Sequence, residues 1–479
     1  MSDTDLKVLI VASEVTPYAK SGGLGDVAGS LPKELRKLGV DARIVFPKYE
    51  CIRESYLEGM EYIDSVTVAL GWRRQGASIQ QLKSDVPTYV IENDFYFRRQ
   101  GLYGYGDDFE RFSFFSKAAI EMLAKIDFRP DVIHFNDWQT GVATVYLKDV
   151  YSKFAFYSGI KSLFTIHNLQ YQGVFGREIL GTIDLPDYYF APDKMEFFGN
   201  LNFMKTAITY ADAVSTVSKT YVEEIKYSDF GYMLNGVLQF RGDDVYGIVN
   251  GIDTDLNDPA TDKRIYKNFS KDDFSAKIEN KHALQQELGL AQSDAPIIAI
   301  ISRLADQKGL DLVALCMDEL MGMDVQIVVL GTGEGRYENL FKNYAWRYPQ
   351  KMSANIFFSD ELAQKIYASS DMFLMPSLFE PCGLGQIFAM RYGTAPIVRR
   401  TGGLNDTVKH YNRDEKDGTG FIFTDYIASG MMWAIREAIE FYWDKPEWNR
   451  LIKNAMSQDF SWATSAKQYI ELYTKLKNK

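Results

Sequence analysis

The chain has 479 residues, 46% of them hydrophobic and 24% charged, with a formal charge of −11 and a pI near 5.1. Its length exceeds a single hydrophobic core and sets an expectation of two domains. Its acidity excludes a protein built to grip phosphate backbones, work that needs clustered lysine and arginine, so no nucleic-acid partner is expected.

The start, MSDTDLKVLIVASEV, joins a polar acidic head to a short apolar run, which is neither a signal peptide nor an Arg-rich transit peptide. No long apolar segment follows, so no membrane partner is expected and a cytoplasmic location is. Cys51, Cys316 and Cys382 are far apart, form neither a disulfide framework nor a zinc spacing, and fit a reducing compartment. Short apolar runs then alternate with helical patterns, the signature of α/β units around parallel sheets. The first half offers KVLIVAS, DARIVFP, DVIHFN, KSLFTIH and DAVSTVS; the second offers YGIVNG, PIIAIISR, VQIVVLG, NIFFSD, DMFLMPS and APIVRR. Each is continuous, as for strands covered on both faces. The pattern weakens through FGYMLNGVLQFRGDD and resumes at Tyr246, which sets domains at 1–245 and 246–458. The tail, 459–479, reads as an amphipathic helix able to cross back to the first domain.

Nearly the same loop occurs at both ends: KSGGLGD from Lys20 and RTGGLND from Arg400. Doubly wound domains bind ligands where strands run into helix N-termini. A Gly-Gly pair there permits positive φ and lets amides approach an anion, so the two loops read as halves of one cleft. Gly23 to Ala28 also satisfies the dinucleotide fingerprint G-x-G-x-x-G/A. That fingerprint needs its glycines immediately after the first strand and an acid near the end of the second. The strand ends near Ala12 and the second runs into Pro47-Lys48, so the dehydrogenase reading fails.

In IAIISRLADQKGLDL, Arg303 and Lys308 follow a strand across a short turn, and their cationic heads can converge on one anion such as a diphosphate. VQIVVLGTGEG places a second amide-rich turn beside them, with Gly331, Gly333 and Gly335. In MPSLFEPCGLGQIFAMRYG, Glu380 stands ahead of a helix. There it is either a cap or, aimed into the cleft, an acceptor for sugar hydroxyls. Asp253-Thr254-Asp255 has the form of a metal-binding D-x-D but falls where a domain starts, and is read as a turn. No metal and no cofactor is expected.

These stretches, with HFNDWQTG, TIHNLQYQG, YADAVSTVSKTYVEEI, ISRLADQKGLDL, LFEPCGLGQIFAMRYGTAPIVRRTGGLNDTV, DGTGFIF and QDFSWATSAKQY, run almost end to end through a known pattern. The chain resembles the bacterial glycogen synthase and plant starch synthase family, retaining glycosyltransferases of the GT-B fold, in which two Rossmann-like doubly wound domains face across a cleft. The resemblance implies transfer of glucose from ADP-glucose to the nonreducing end of an α-1,4-glucan. UDP-glucose as donor, and a catalytically silent glucan-binding relative, are the alternatives.

By position, the resemblance assigns Lys20, Gly22 and Gly23, with Asp26, to the donor's phosphates and glucose. Asp137, His167 and Asn168 lie on the first domain's side of the sugar, His167 offering its ring or backbone carbonyl to developing positive charge. Arg303 and Lys308 neutralise the leaving diphosphate. Glu380, with Cys382 and the amides of Gly383 and Leu384, holds the glucose hydroxyls beside Thr401 and Gly402. The sequence departs from the pattern at Ser21 for Thr, at Leu378 for Arg, at Gly385 for Thr, and in lacking a Trp after GID. Weaker or altered phosphate contacts are implied at Gly385.

Overall fold

A computed structural model describes residues 5–479; the acidic head, residues 1–4, lies outside them. The chain forms two compact units, one running up to Gly251 and including Trp462–Lys479, the other spanning Ile252–Ser461.

The first unit is built on a nine-stranded sheet. Its spatial order is Val245–Gly247, Ala213–Thr216, Lys161–Ile166, Val132–Asn136, Lys7–Val11, Asp41–Pro47, Thr88–Glu92, Arg73–Leu82 and Glu61–Leu70. The first seven run parallel and the last two form an antiparallel hairpin. Val8 to Val11 and Val132 to Phe135 have almost no exposed surface, as continuous apolar runs predict for strands covered on both faces. The hairpin escapes that pattern because its face alternates, Glu61–Leu70 exposing one side and burying Val66, Val68 and Leu70.

The strand expected to open the second domain at Tyr246 instead closes the first sheet, Val245 pairing in parallel register with Val214. Three residues suffice for that edge position, too few to signal in sequence which sheet they join. The tail forms the helix Trp462–Lys477, packed on the first unit. Its Tyr473 hydroxyl meets His134 Nδ1 at 2.8 Å, while His134 Nε2 meets Thr165 Oγ1, whose other neighbour is Ser215 Oγ at 2.6 Å. One polar chain thus ties the helix across three strands.

The second unit carries a wholly parallel sheet ordered Met352–Asn355, Gln326–Leu330, Ile297–Ile301, Met372–Met375, Ala395–Arg399, Phe421–Phe423. Taken in chain order this is the doubly wound Rossmann sequence 3-2-1-4-5-6, whose direction reverses between Ile297–Ile301 and Met372–Met375. The run NIFFSD is misplaced as a strand: pairing ends at Asn355, and Phe357 and Phe358 lie exposed beyond it. Phe421–Phe423 adds a sixth strand that its three-residue length concealed.

Candidate active site

In the first unit the order reverses between Lys7–Val11 and Val132–Asn136, and the loops leaving these strands carry the expected residues. Between Val11 and the helix Gly23–Lys37 the chain folds around Glu14, which is 3% exposed. Its Oε2 accepts from the Ser21 amide and from Ser21 Oγ at 2.7 Å. Burial pushes this carboxyl above the usual range, against the pull of those bonds and of the Gly25 and Gly22 amides. Glu14 therefore fixes the glycine loop, a role sequence reasoning missed because an acid after a strand reads as surface. Lys20 Nζ lies 2.8 Å from Asp26 Oδ1, so these two residues form one half-exposed pair.

Asp137 leaves its strand at φ 56, a conformation a non-glycine residue adopts at a cost on the order of 1–3 kcal/mol. That turn directs Oδ1 to the His167 amide at 2.8 Å. Burial first, and the charge of Glu14 second, push the Asp137 carboxyl up to about 7, opposed by the His167 and Asn168 amides. Burial pushes the His167 imidazole down to about 3, so it is neutral at physiological pH. Its tautomer follows from the neighbours. Asn136 Nδ2 donates to the carbonyls of Val11 (3.2 Å) and His134 (3.1 Å), which turns Asn136 Oδ1 toward His167 Nε2 at 2.9 Å. Nε2 must then carry the proton, leaving a lone pair on Nδ1. Asn168 Oδ1 accepts from the Gln170 amide at 3.0 Å and shapes the turn that follows. Asn136 was not foreseen, although HFND contains it.

In the second unit the reversal point gathers Lys308 and Glu380. Lys308 Nζ stands 2.6 Å from Glu380 Oε2, which also accepts from Ser377 Oγ at 3.2 Å. Both arrive from strands flanking the reversal. Gly309 makes the approach possible: its φ is +70 and a Cβ would fall 2.0 Å from the Pro376 carbonyl oxygen. Arg303 Nη2 donates to Gln307 Oε1 at 3.1 Å, and Gln307 Nε2 donates to the Phe379 carbonyl at 3.4 Å, which ties Arg303 to the turn that carries Lys308 and to the start of the Glu380 loop. The GTGEG turn does lie beside this loop, Leu304 N donating to Thr332 O at 2.8 Å. Gly383, at φ +72, brings its backbone close to the Glu380 side chain, a Cβ there falling 3.1 Å from Glu380 Cγ.

The two similar glycine loops are built differently. Gly22 is extended, and the helix begins at Gly23 after the first strand of its unit. In RTGGLND the helix begins at Gly402 after the fifth strand, and the glycines serve packing. A Cβ on Gly402 would fall 1.9 Å from Glu380 O, and one on Gly403 2.0 Å from Cys382 O. The Gly403 amide is spent on Glu380 O at 3.0 Å. Thr401, Gly402 and Cys382 are buried, and the loop of Thr401 and Gly402 packs against the backbone of Glu380 and Cys382. At Gly385 the ring of Phe373 takes the room, within 2.9 Å of where a Cβ would stand, which accounts for glycine there. Asp253 Oδ1 accepts from the amides of Asp255 (3.1 Å) and Leu256 (2.9 Å), so the D-x-D is a side-chain-closed turn.

Two doubly wound units in one chain, with a lysine and a carboxylate paired at the reversal point of the second, define a GT-B glycosyltransferase. The family model for the starch synthase catalytic domain matches residues 7–240, and that for glycosyl transferases group 1 matches residues 283–458. The chain is 48% identical to a glycogen synthase of Clostridium novyi (strain NT), over 99% of this chain and 100% of that protein. It is 50% identical to a glycogen synthase of Clostridioides difficile (strain 630), over 98% and 99%. The catalytic domain of starch synthase IV from Arabidopsis thaliana, solved bound to ADP and acarbose, superposes with a TM-score of 0.93 at 35% identity, covering 99% of this chain and 100% of that one. The chain belongs to the glycogen synthase and starch synthase family, and is a glucosyltransferase of glucan synthesis. Among the described residues no helix is long and apolar enough to cross a membrane.

Proposed function

We propose that the chain transfers glucose from ADP-glucose to the nonreducing end of an α-1,4-glucan with retention of configuration, releasing ADP. The observation that carries this reading is the Lys308–Glu380 pair at a Rossmann reversal point, a half-buried ammonium on a buried carboxylate. A nucleotide sugar presents an anionic diphosphate joined to a neutral polyol, and a cation beside a hydrogen-bond acceptor matches that junction. Lys308 and Arg303 stabilise the charge that grows on the diphosphate as the glycosidic bond breaks. Glu380 accepts from glucose hydroxyls, with the backbone of Gly383 and Leu384 alongside.

The first unit supplies Lys20 on the loop anchored by Glu14, and Asp137, His167 and Asn168 around the sugar. A neutral His167 with its lone pair on Nδ1 adds no positive charge near an oxocarbenium-like carbon, which suits a stabilising role and rules the ring out as a proton donor at neutral pH. ADP bound in the Arabidopsis relative supports the adenine donor. A silent relative would have lost members of the set Lys20, His167, Arg303, Lys308 and Glu380; all are in place. Initial rates with ADP-glucose and UDP-glucose on one glycogen primer, with the new linkage assigned by proton NMR, test the proposal. ADP-glucose is expected to give a kcat/KM at least about tenfold higher, an added 1.4 kcal/mol of discrimination, and only α-linkages. Comparable rates or a β-linkage would overturn it.

A further inference from the structure

Gln307 lies in the short turn Asp306–Lys308, immediately before Lys308, and its side chain bridges two loops of the second unit. Oε1 accepts from Arg303 Nη2 at 3.1 Å, and Nε2 donates to the Phe379 carbonyl at 3.4 Å. A guanidinium only donates and a carbonyl only accepts, so one orientation of the amide serves both. The main chain adds a further tie, the Gln307 carbonyl accepting from the Leu378 amide at 2.9 Å. Gln307 thus grips the residues that run directly into Glu380.

The stretch it grips is fixed from elsewhere as well. Arg399 Nη1 donates to the carbonyls of Ser377 (3.4 Å) and Leu378 (2.5 Å), and the Glu380 carbonyl accepts from the Gly403 amide at 3.0 Å. Ser377 Oγ in turn donates to Glu380 Oε2 at 3.2 Å. One end of the Gln307 bridge is therefore rigid. The other end is Arg303, an exposed side chain of a rotamer-rich type.

An arginine left to water samples many rotamers, and ordering it when an anion arrives costs affinity. Tethering it to a rigid partner removes part of that cost in advance. The chemistry of the tether matters too. A glutamate in this place would hold the guanidinium, but it would offset the positive charge and set a second acceptor against the Phe379 carbonyl. The neutral amide orients the cation without itself offsetting the charge.

We propose that Gln307 is a positioning residue for the donor's diphosphate, acting through Arg303. It holds the guanidinium in register with the Glu380 loop, so that the group meeting the phosphates and the group meeting the glucose hydroxyls are set by one rigid segment. This inference rests on the nucleotide-sugar donor proposed above, with Arg303 at its diphosphate.

Calorimetric titration with ADP, beside initial rates with ADP-glucose on glycogen, tests it on the unaltered chain, Gln307→Met, Gln307→Asn, Arg303→Ala and the double variants, with melting followed in parallel. Gln307→Met keeps the side chain's length without its amide, and the main-chain bond to Leu378 survives. Gln307→Asn keeps the amide but falls one methylene short of spanning both partners, and it carries the test if the Met variant does not fold. Each should weaken ADP binding on the order of fivefold and lower kcat/KM for ADP-glucose at least as much, leaving KM for glycogen unchanged. In the Arg303→Ala background neither should weaken ADP binding by more than about twofold. Unchanged ADP affinity in the folded single variants would overturn the proposal. So would the same fivefold loss in the absence of Arg303, or an equal rise in KM for glycogen, since either would mark Gln307 as a support of the turn alone. If the unaltered chain binds ADP yet transfers no glucose, the titrations still decide this inference and only the reading of the catalytic function falls; if it binds no ADP, both fall.

Discussion

Asp137 carries two costs at once: a left-handed backbone and a carboxyl whose proton is held up to about 7. Neither helps folding, and strain of this kind persists where the surroundings need a side chain aimed in one direction. The linkage has a definite sign. A carboxyl with a folded pKa above its unfolded value near 3.8 takes nothing from stability below that pH, and progressively more as pH rises through about 7. Asp137→Asn, which keeps an oxygen for the His167 amide, should therefore melt higher than the unaltered protein at pH 8, by on the order of 1–2 kcal/mol. That advantage should vanish near pH 4, while glucosyl transfer falls. Thermal melts at the two pH values, beside rates, check this; an Asn variant less stable at pH 8, or fully active, would contradict the assigned role.

At the level of elements, helix ends decide how the Glu380 loop is held. Lys277, at the start of the helix Lys277–Glu287, sends Nζ to the carbonyls of Tyr367 (3.3 Å), Ala368 (3.0 Å) and Tyr392 (3.0 Å) and to Thr394 Oγ1 (2.9 Å). It thereby closes the carboxyl ends of two helices, Asp360–Ser369 and Gly385–Arg391, the second of which follows the Glu380 loop. Lys277→Met should cost roughly 3 kcal/mol by stranding these acceptors, read as a lowered denaturant midpoint; a loss within about 0.5 kcal/mol would show that water replaces the ammonium.

KIENKHAL gave no hint of this, since a lysine in a polar helix reads as solvated and only tertiary packing buries it. The same limit hid Glu14, Asn136 and the alternating hairpin. What the sequence did reveal, the parallel strands and the placing of Lys308 and Glu380 at strand ends, is encoded locally by continuous apolar runs broken by glycine and proline. The two glycine heptapeptides mark the boundary of that legibility: alike as text, they differ in φ, in strand position and in the use of their amides.

For the whole molecule, the chain order and the division into units disagree, because the last helix belongs with the first residues. Deleting 462–479 removes Trp462, Tyr469 and Tyr473 from the first core and strands His134 without its tyrosine partner. The first unit should then unfold at lower temperature while the contiguous unit Ile252–Ser461 keeps its own transition. Calorimetry should split one profile into two, and a single unshifted transition would contradict the division. The central claim is that this molecule turns over as a glucosyltransferase through the Lys308–Glu380 pair, not that it merely keeps the family fold. The most direct test is kcat with ADP-glucose and glycogen for the unaltered chain and for Lys308→Gln, with melting followed in parallel. Turnover in the first, and a loss of roughly 10²-fold or more in the second with the fold retained, is the result expected. No turnover in the unaltered chain, or a variant within about threefold of it, a difference under 1 kcal/mol, would contradict the account.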